Sequence, residues 1–94
     1  MAVTLHQLEL FVALAKCLSM TQLARELHVS QSAISHQVKR LQRELGKTFF
    51  HSQGRGIKLT DEGAKLRRNA EIVLSGVDKI YRKYGAKSHR AQKK

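Results

Sequence analysis

The chain is short of acid, short of cysteine, and has no long apolar run, and each shortage excludes something. No apolar stretch approaches the roughly 20 residues that a bilayer-spanning helix needs, and no basic, apolar, small-residue signal sequence opens it. Cys17 is the only cysteine, so no intrachain disulfide can form. It falls near the end of an apolar-periodic helix, which predicts a small buried thiol, not a reactive one. These features predict a cytoplasmic location in a bacterium-like cell.

Chemistry is also in short supply. His6, His28, His36, His51 and His89 show no zinc-type spacing with Cys17 or with the carboxylates. Ser35 and His36 are adjacent, yet neighbours on a helix point about 100° apart and no orienting acid is near. Glu26 and Glu44 lack partners. The sequence therefore predicts no enzyme, no metal and no cofactor.

What the chain has is positive charge. Lys and Arg total 18 against 7 Asp and Glu, for a formal charge of +11 and a pI near 10.4. That imbalance implies a polyanionic partner: nucleic acid first, an anionic membrane surface second. The membrane is the weaker reading, because the basic C-terminal segment has no Trp or Phe to anchor it. At 94 residues there is room for one small domain and a tail.

Helical periodicity opens the chain. Thr4 with Gln7 forms a capping box, and Leu5, Leu8, Phe11, Val12 and Ala15 give a core stripe. Leu10, Leu14 and Leu18 form a second apolar row, so this helix needs two partners, one of which can belong to another subunit. Ser19 caps a second helix running to about Leu27, with Met20, Leu23, Ala24 and Leu27 facing inward. His28 and Val29 make a turn, Ser30 caps a third helix, and Gly46 stops it.

The third helix divides into two faces. Ile34, Val38, Leu41 and Leu45, spaced 4, 3 and 4 residues apart, make the anchoring stripe. Gln31, Ser32, Ser35, His36, Lys39, Arg40 and Arg43 occupy the other face, nearly all of them able to donate to a phosphate or a base edge. A helix held by one side and covered with donors on the other suits a major groove.

Beyond it the pattern changes. Phe49 and Phe50 begin an extended run, Gln53-Gly54-Arg55-Gly56 reads as a hairpin turn, and Ile57-Lys58-Leu59-Thr60 alternates like a returning strand. This predicts a β-wing whose tip holds Arg55 between two glycines, suited to close approach to a backbone or a minor groove. From Thr60 a long helix follows, with Asp61 and Glu62 complementing its positive N-terminus. Leu66, Ala70, Val73, Val77, Ile80 and Tyr84 recur at spacings of 4, 3, 4, 3 and 4, a heptad seam expected to close on a second subunit. Gly76 weakens that helix by about 1 kcal/mol relative to alanine. After Asp78 there is no acidic residue, and a basic, disordered tail is expected over 85–94, either solubilising or a second contact to phosphates.

Leu5-His-Gln-Leu8, Phe11-Val-Ala-Leu-Ala15, Ser19-Met-Thr21, Leu27-His-Val-Ser-Gln31, Ala33-Ile-Ser35, Leu41-Gln-Arg-Glu-Leu-Gly46, Gly54-Arg-Gly56 and Leu59-Thr60 with Glu62-Gly63 resemble the LysR-type transcriptional regulators. The likeness spans residues 4 to about 84. It implies a mostly α fold: a winged helix-turn-helix over 1–59, with three helices and a two-stranded wing, then a linker and dimerisation helix over 60–84. It further implies a homodimer in which the linker helices pack antiparallel, each also against a first helix. Two recognition helices then share one face, and the partner is double-stranded DNA.

On that likeness Ser19 to Val38 form the helix-turn-helix. Gln31, Ser32, Ser35, His36, Lys39 and Arg40 are the expected major-groove residues. Thr21, Ser30, Gln53, Arg55 and Lys58 are the expected wing and phosphate contacts. Leu10, Leu14, Leu66, Ala70, Val73, Val77, Ile80 and Tyr84 are the expected dimerisation residues. Ser32 stands where the family usually has proline, replacing an apolar contact to thymine methyls with a hydroxyl. Ser52 stands where arginine is common, which implies one weaker phosphate contact in the wing. The family normally continues into an effector domain past the position of Lys94. The chain is thus expected to be either a domain of a longer regulator or a stand-alone protein, the latter favoured by its basic terminus, with no small-molecule effector site evident. Two other functions remain open: a short dimer that pairs with full-length regulators and antagonises them, and charge-driven nucleoid packaging.

Overall fold

A computed structural model describes residues 3–85, and the tail expected over 85–94 lies outside the described residues beyond its first position. The element order is α1 (Leu5–Cys17), α2 (Met20–Leu27), α3 (Gln31–Leu45), β1 (Phe50–Gln53), β2 (Gly56–Leu59) and α4 (Asp61–Lys83). It is a mostly helical winged helix-turn-helix followed by a long helix.

Each helix begins where a side chain can take up an orphan N–H. The Thr4 hydroxyl accepts from Gln7 N while Gln7 Oε1 accepts from Thr4 N, the reciprocal box expected from the sequence. The hydroxyls of Ser19, Ser30 and Thr60 accept from Gln22 N, Ala33 N and Gly63 N. Gln22 does not reach back to its cap; its amide donates to Glu26, giving that carboxylate a partner. α3 ends on Gly46 in the left-handed region, whereas α1 and α2 end in the same conformation on Leu18 and His28, which the sequence does not announce.

α2 packs on α3 and α1 touches both, around Phe11, Leu14, Leu23, Ile34 and Leu41. Phe11 meets Phe49 edge-on, with ring centroids 5.7 Å apart, and Phe50 at 5.3 Å. These rings fix the root of the wing to the core. β1 and β2 pair antiparallel, Phe50 opposite Leu59 and Gln53 opposite Gly56, leaving Gly54 and Arg55 as a two-residue loop.

α4 lies along α1, and this divides the expected seam. Ala70 is 1% exposed, and Leu10 and Leu14 are 7% and 0% exposed, all within the core of the single chain. They offer no surface to a second subunit in this fold. Leu74, which the heptad spacing omitted, completes their contact with α4 at 1% exposure. The reason is geometric: Leu66, Ala70 and Leu74 recur every four residues, and that ridge packs on α1. Leu5 and Leu45, assigned to core stripes from spacing, are exposed at helix ends.

The first turn of α4 is locked to the wing. The Thr60 hydroxyl donates to Thr48 O at 2.7 Å, and Thr60 N donates to Phe49 O. A Cβ on Gly63 would collide with the Phe49 carbonyl and with the Leu59 side chain.

Candidate nucleic-acid interface

α3 is anchored by Ile34, Val38 and Leu41, all buried, so its opposite face is held outward. Gln31, Ser32, His36, Lys39 and Arg40 are exposed and Ser35 is half-buried. The wing stands beside this face, and the two enclose a cleft of about 430 Å³. Gln31, Ser35 and Lys39 line it from α3, Thr21 from α2 and Arg55 from the wing tip. The structure thus brings these five expected residues together. Ser32, His36 and Arg40 are exposed on α3 but do not line the cleft, and Gln53 and Lys58 are exposed on the wing strands.

The electrostatics are one-sided. Lys39 and Arg55 line the cleft, and no carboxylate does among the described residues. A second hollow, beyond the C-terminal half of α3, is bordered by Lys39, Arg43 and Lys47. The basic surface therefore continues from the cleft along the end of α3.

Local hydrogen bonds set the geometry. The Ser30 hydroxyl is taken up by the cap on Ala33 N. Gln42, which spacing did not single out, lines the cleft, and its Oε1 accepts from Phe49 N at 2.8 Å and Phe50 N at 3.3 Å. That side chain ties α3 to the wing. A glutamine one position past a buried leucine carries no periodic signal, so only the fold reveals its role. Thr21 Oγ1 donates to Gln31 Oε1 at 3.0 Å, joining the two helices of the helix-turn-helix across the cleft.

The two glycines around Arg55 act differently from each other. Gly54 has φ +59° with open space around its α-carbon, and serves the turn. Gly56 lies against the Leu18 carbonyl, where a Cβ would sit 3.1 Å from the oxygen. Its bareness therefore serves contact with the chain's own α1–α2 corner, which the sequence does not announce.

On α4, Val73, Ile80 and Tyr84 of the expected seam are 45%, 59% and 75% exposed, while Leu66 and Val77 are half-buried. Ile72 is also exposed, at 70%. Among the described residues no group of three or more His, Cys, Asp or Glu could hold a metal ion, and no helix is long and apolar enough to cross a membrane.

A family model described as bacterial regulatory helix-turn-helix protein, lysR family, matches residues 5–64. The transcriptional regulator TrpI of Pseudomonas aeruginosa is 45% identical over 64 residues, 68% of this chain and 22% of its own length. The glycine cleavage system transcriptional activator of Escherichia coli K12 is 38% identical over 84 residues, 89% of this chain and 28% of its own. The chain thus spans about a quarter of the length of the curated relatives it matches. Among solved structures, the BenM DNA-binding domain on catB site 1 DNA superposes with a TM-score of 0.82 at 31% identity, covering 88% of this chain and 92% of that one. The CbnR DNA-binding domain bound to DNA gives 0.73 at 34% identity, covering 78% and 84%.

Proposed function

The chain belongs to the lysR family of bacterial regulatory helix-turn-helix proteins, and on that premise we propose that it is a sequence-specific transcriptional regulator working on double-stranded DNA as a homodimer. The observation that carries this reading is the carboxylate-free cleft between α3 and the wing, with Gln31, Ser35, Lys39 and Arg55 on its walls. α3 enters the major groove with Gln31, Ser35 and Lys39 toward base edges. Ser32, His36 and Arg40 face the groove wall and its phosphates. The wing lies along the adjacent strand, with Arg55 at the minor groove or its rim and Gln53 and Lys58 near the backbone. BenM and CbnR domains of the same shape were solved on DNA, which supports this docking.

The dimer closes through the outer flank of α4. Val73, Ile80 and Tyr84 are exposed in the single chain, and burying one Val or Ile is worth about 1.5–3 kcal/mol, counted twice by symmetry. Two half-sites then multiply the selectivity of one helix-turn-helix.

Selection of bound duplexes from a random pool tests the whole reading. Enrichment of a two-fold symmetric site, held at least about 10³-fold more tightly than random DNA at physiological salt, is the expected result. Steeply salt-dependent binding without sequence preference would establish charge-driven packaging instead.

A further inference from the structure

We propose that Thr21 is a positioning residue that sets which base edge Gln31 reads. A glutamine side chain offers one acceptor oxygen and an NH₂ group with two donors. Free to present both, it pairs bidentately with adenine, accepting from N6 and donating to N7. Here Thr21 Oγ1 donates to Gln31 Oε1 at 3.0 Å. Both residues line the cleft between α3 and the wing, and both are exposed.

The carboxamide is planar, and its oxygen and nitrogen diverge from one carbon. Holding the oxygen toward α2 leaves Nε2 as the leading atom away from α2. In this arrangement Gln31 meets DNA as a donor. The edges that suit a donor are those made of acceptors alone: guanine N7 and O6, or thymine O4. Adenine fits less well, because its N6 amino group needs the oxygen that Thr21 holds toward α2, with one of its two lone pairs already engaged. The threonine hydroxyl donates its one proton to Gln31, which leaves it only lone pairs and no donor for a phosphate. Its expected role as a phosphate contact therefore gives way to this one.

The inference rests on the reading of α3 as the helix that meets base edges. Its test uses wild type, Thr21→Val, Thr21→Ser and Gln31→Ala, each taken through selection from random duplex. Anisotropy titrations follow on four duplexes that differ at the base pair whose identity Gln31→Ala makes indifferent. Wild type is expected to prefer guanine or thymine there on the contacted strand. Thr21→Val keeps the shape but removes the donor, and should raise the affinity for adenine relative to guanine by about fivefold or more. Thr21→Ser should retain the wild-type order. Equal weakening of all four duplexes by Thr21→Val would make Thr21 a phosphate contact and overturn the proposal. So would a wild-type preference for adenine at that position. A wild type with no preference at any position would overturn the base-reading role of α3 itself, a distinct outcome.

Discussion

α3 and α4 are both amphipathic helices seated on one core, and they differ in what they leave outside. α3 sends Ile34, Val38 and Leu41 inward and exposes Gln31, Ser32, His36, Lys39 and Arg40. Apart from Leu45 at the helix end, its apolar face is used by the chain itself. α4 sends Ala70 and Leu74 inward and still exposes Ile72, Val73, Ile80 and Tyr84. A donor-covered surface is at ease in water until a polyanion replaces the solvent. An apolar surface is not, and it asks for another apolar surface. On the function proposed above, the contrast separates a helix that meets DNA from a helix that meets protein.

The largest expected effect lies on the α4 side. Val73→Asp places two like charges in the proposed dimer contact and removes two apolar side chains, a loss of about 3–6 kcal/mol per dimer. Because Val73 is half-exposed in the single chain, the fold should survive. Sedimentation at micromolar concentration should show a dimer for wild type and a monomer for the variant, with tight binding to the selected site lost. A wild type that sediments as a monomer breaks the comparison.

A paired substitution sharpens the split within α4. Leu74→Ala should cost about 2–5 kcal/mol in chemical denaturation, since its side chain is buried against α1. Ile72→Ala, two residues away and exposed, should stay within about 0.5 kcal/mol. Similar losses for both would mean that α4 is turned differently on the core.

On the α3 side, Gln31→Ala should cost about 1–3 kcal/mol on the preferred site and little on random DNA. An equal loss on both would reassign Gln31 to the phosphates. The smallest effect is expected at the wing tip, where Arg55→Ala should weaken binding broadly and lower the salt slope by about 1. An unchanged slope would place Arg55 away from DNA.

Much of this architecture is legible from local chemistry. Thr4, Ser19, Ser30 and Thr60 each precede a helix they cap, Gly46 ends α3, and the Gly54-Arg55 pair turns the wing. These signals act within a few residues, so a linear pattern records them. The division of α4 is not local. Spacing alone put Ala70 and Val73 on one seam, and only the packing of α1 sends the first inward and leaves the second half-exposed. The same holds for the cleft. Its donor residues follow from the periodicity of α3, whereas the bond from Thr21 to Gln31 and the grip of Gln42 on Phe49 and Phe50 join residues 10, 7 and 8 positions apart. Such bonds depend on tertiary geometry and leave no periodic trace.

The glycine at position 63 has a consequence for anyone comparing related sequences. Its α-carbon lies against the Phe49 carbonyl and the Leu59 side chain, where α4 meets the root of the wing. Every other amino acid brings a carbon into that space, so descent with this fold admits almost no alternative there. Invariance at this site would be a record of shape and not of DNA contact. On the function proposed above, the informative variation lies on the outward face of α3, where Ser32 and His36 are free of the core and would change with the operator while the scaffold stays the same.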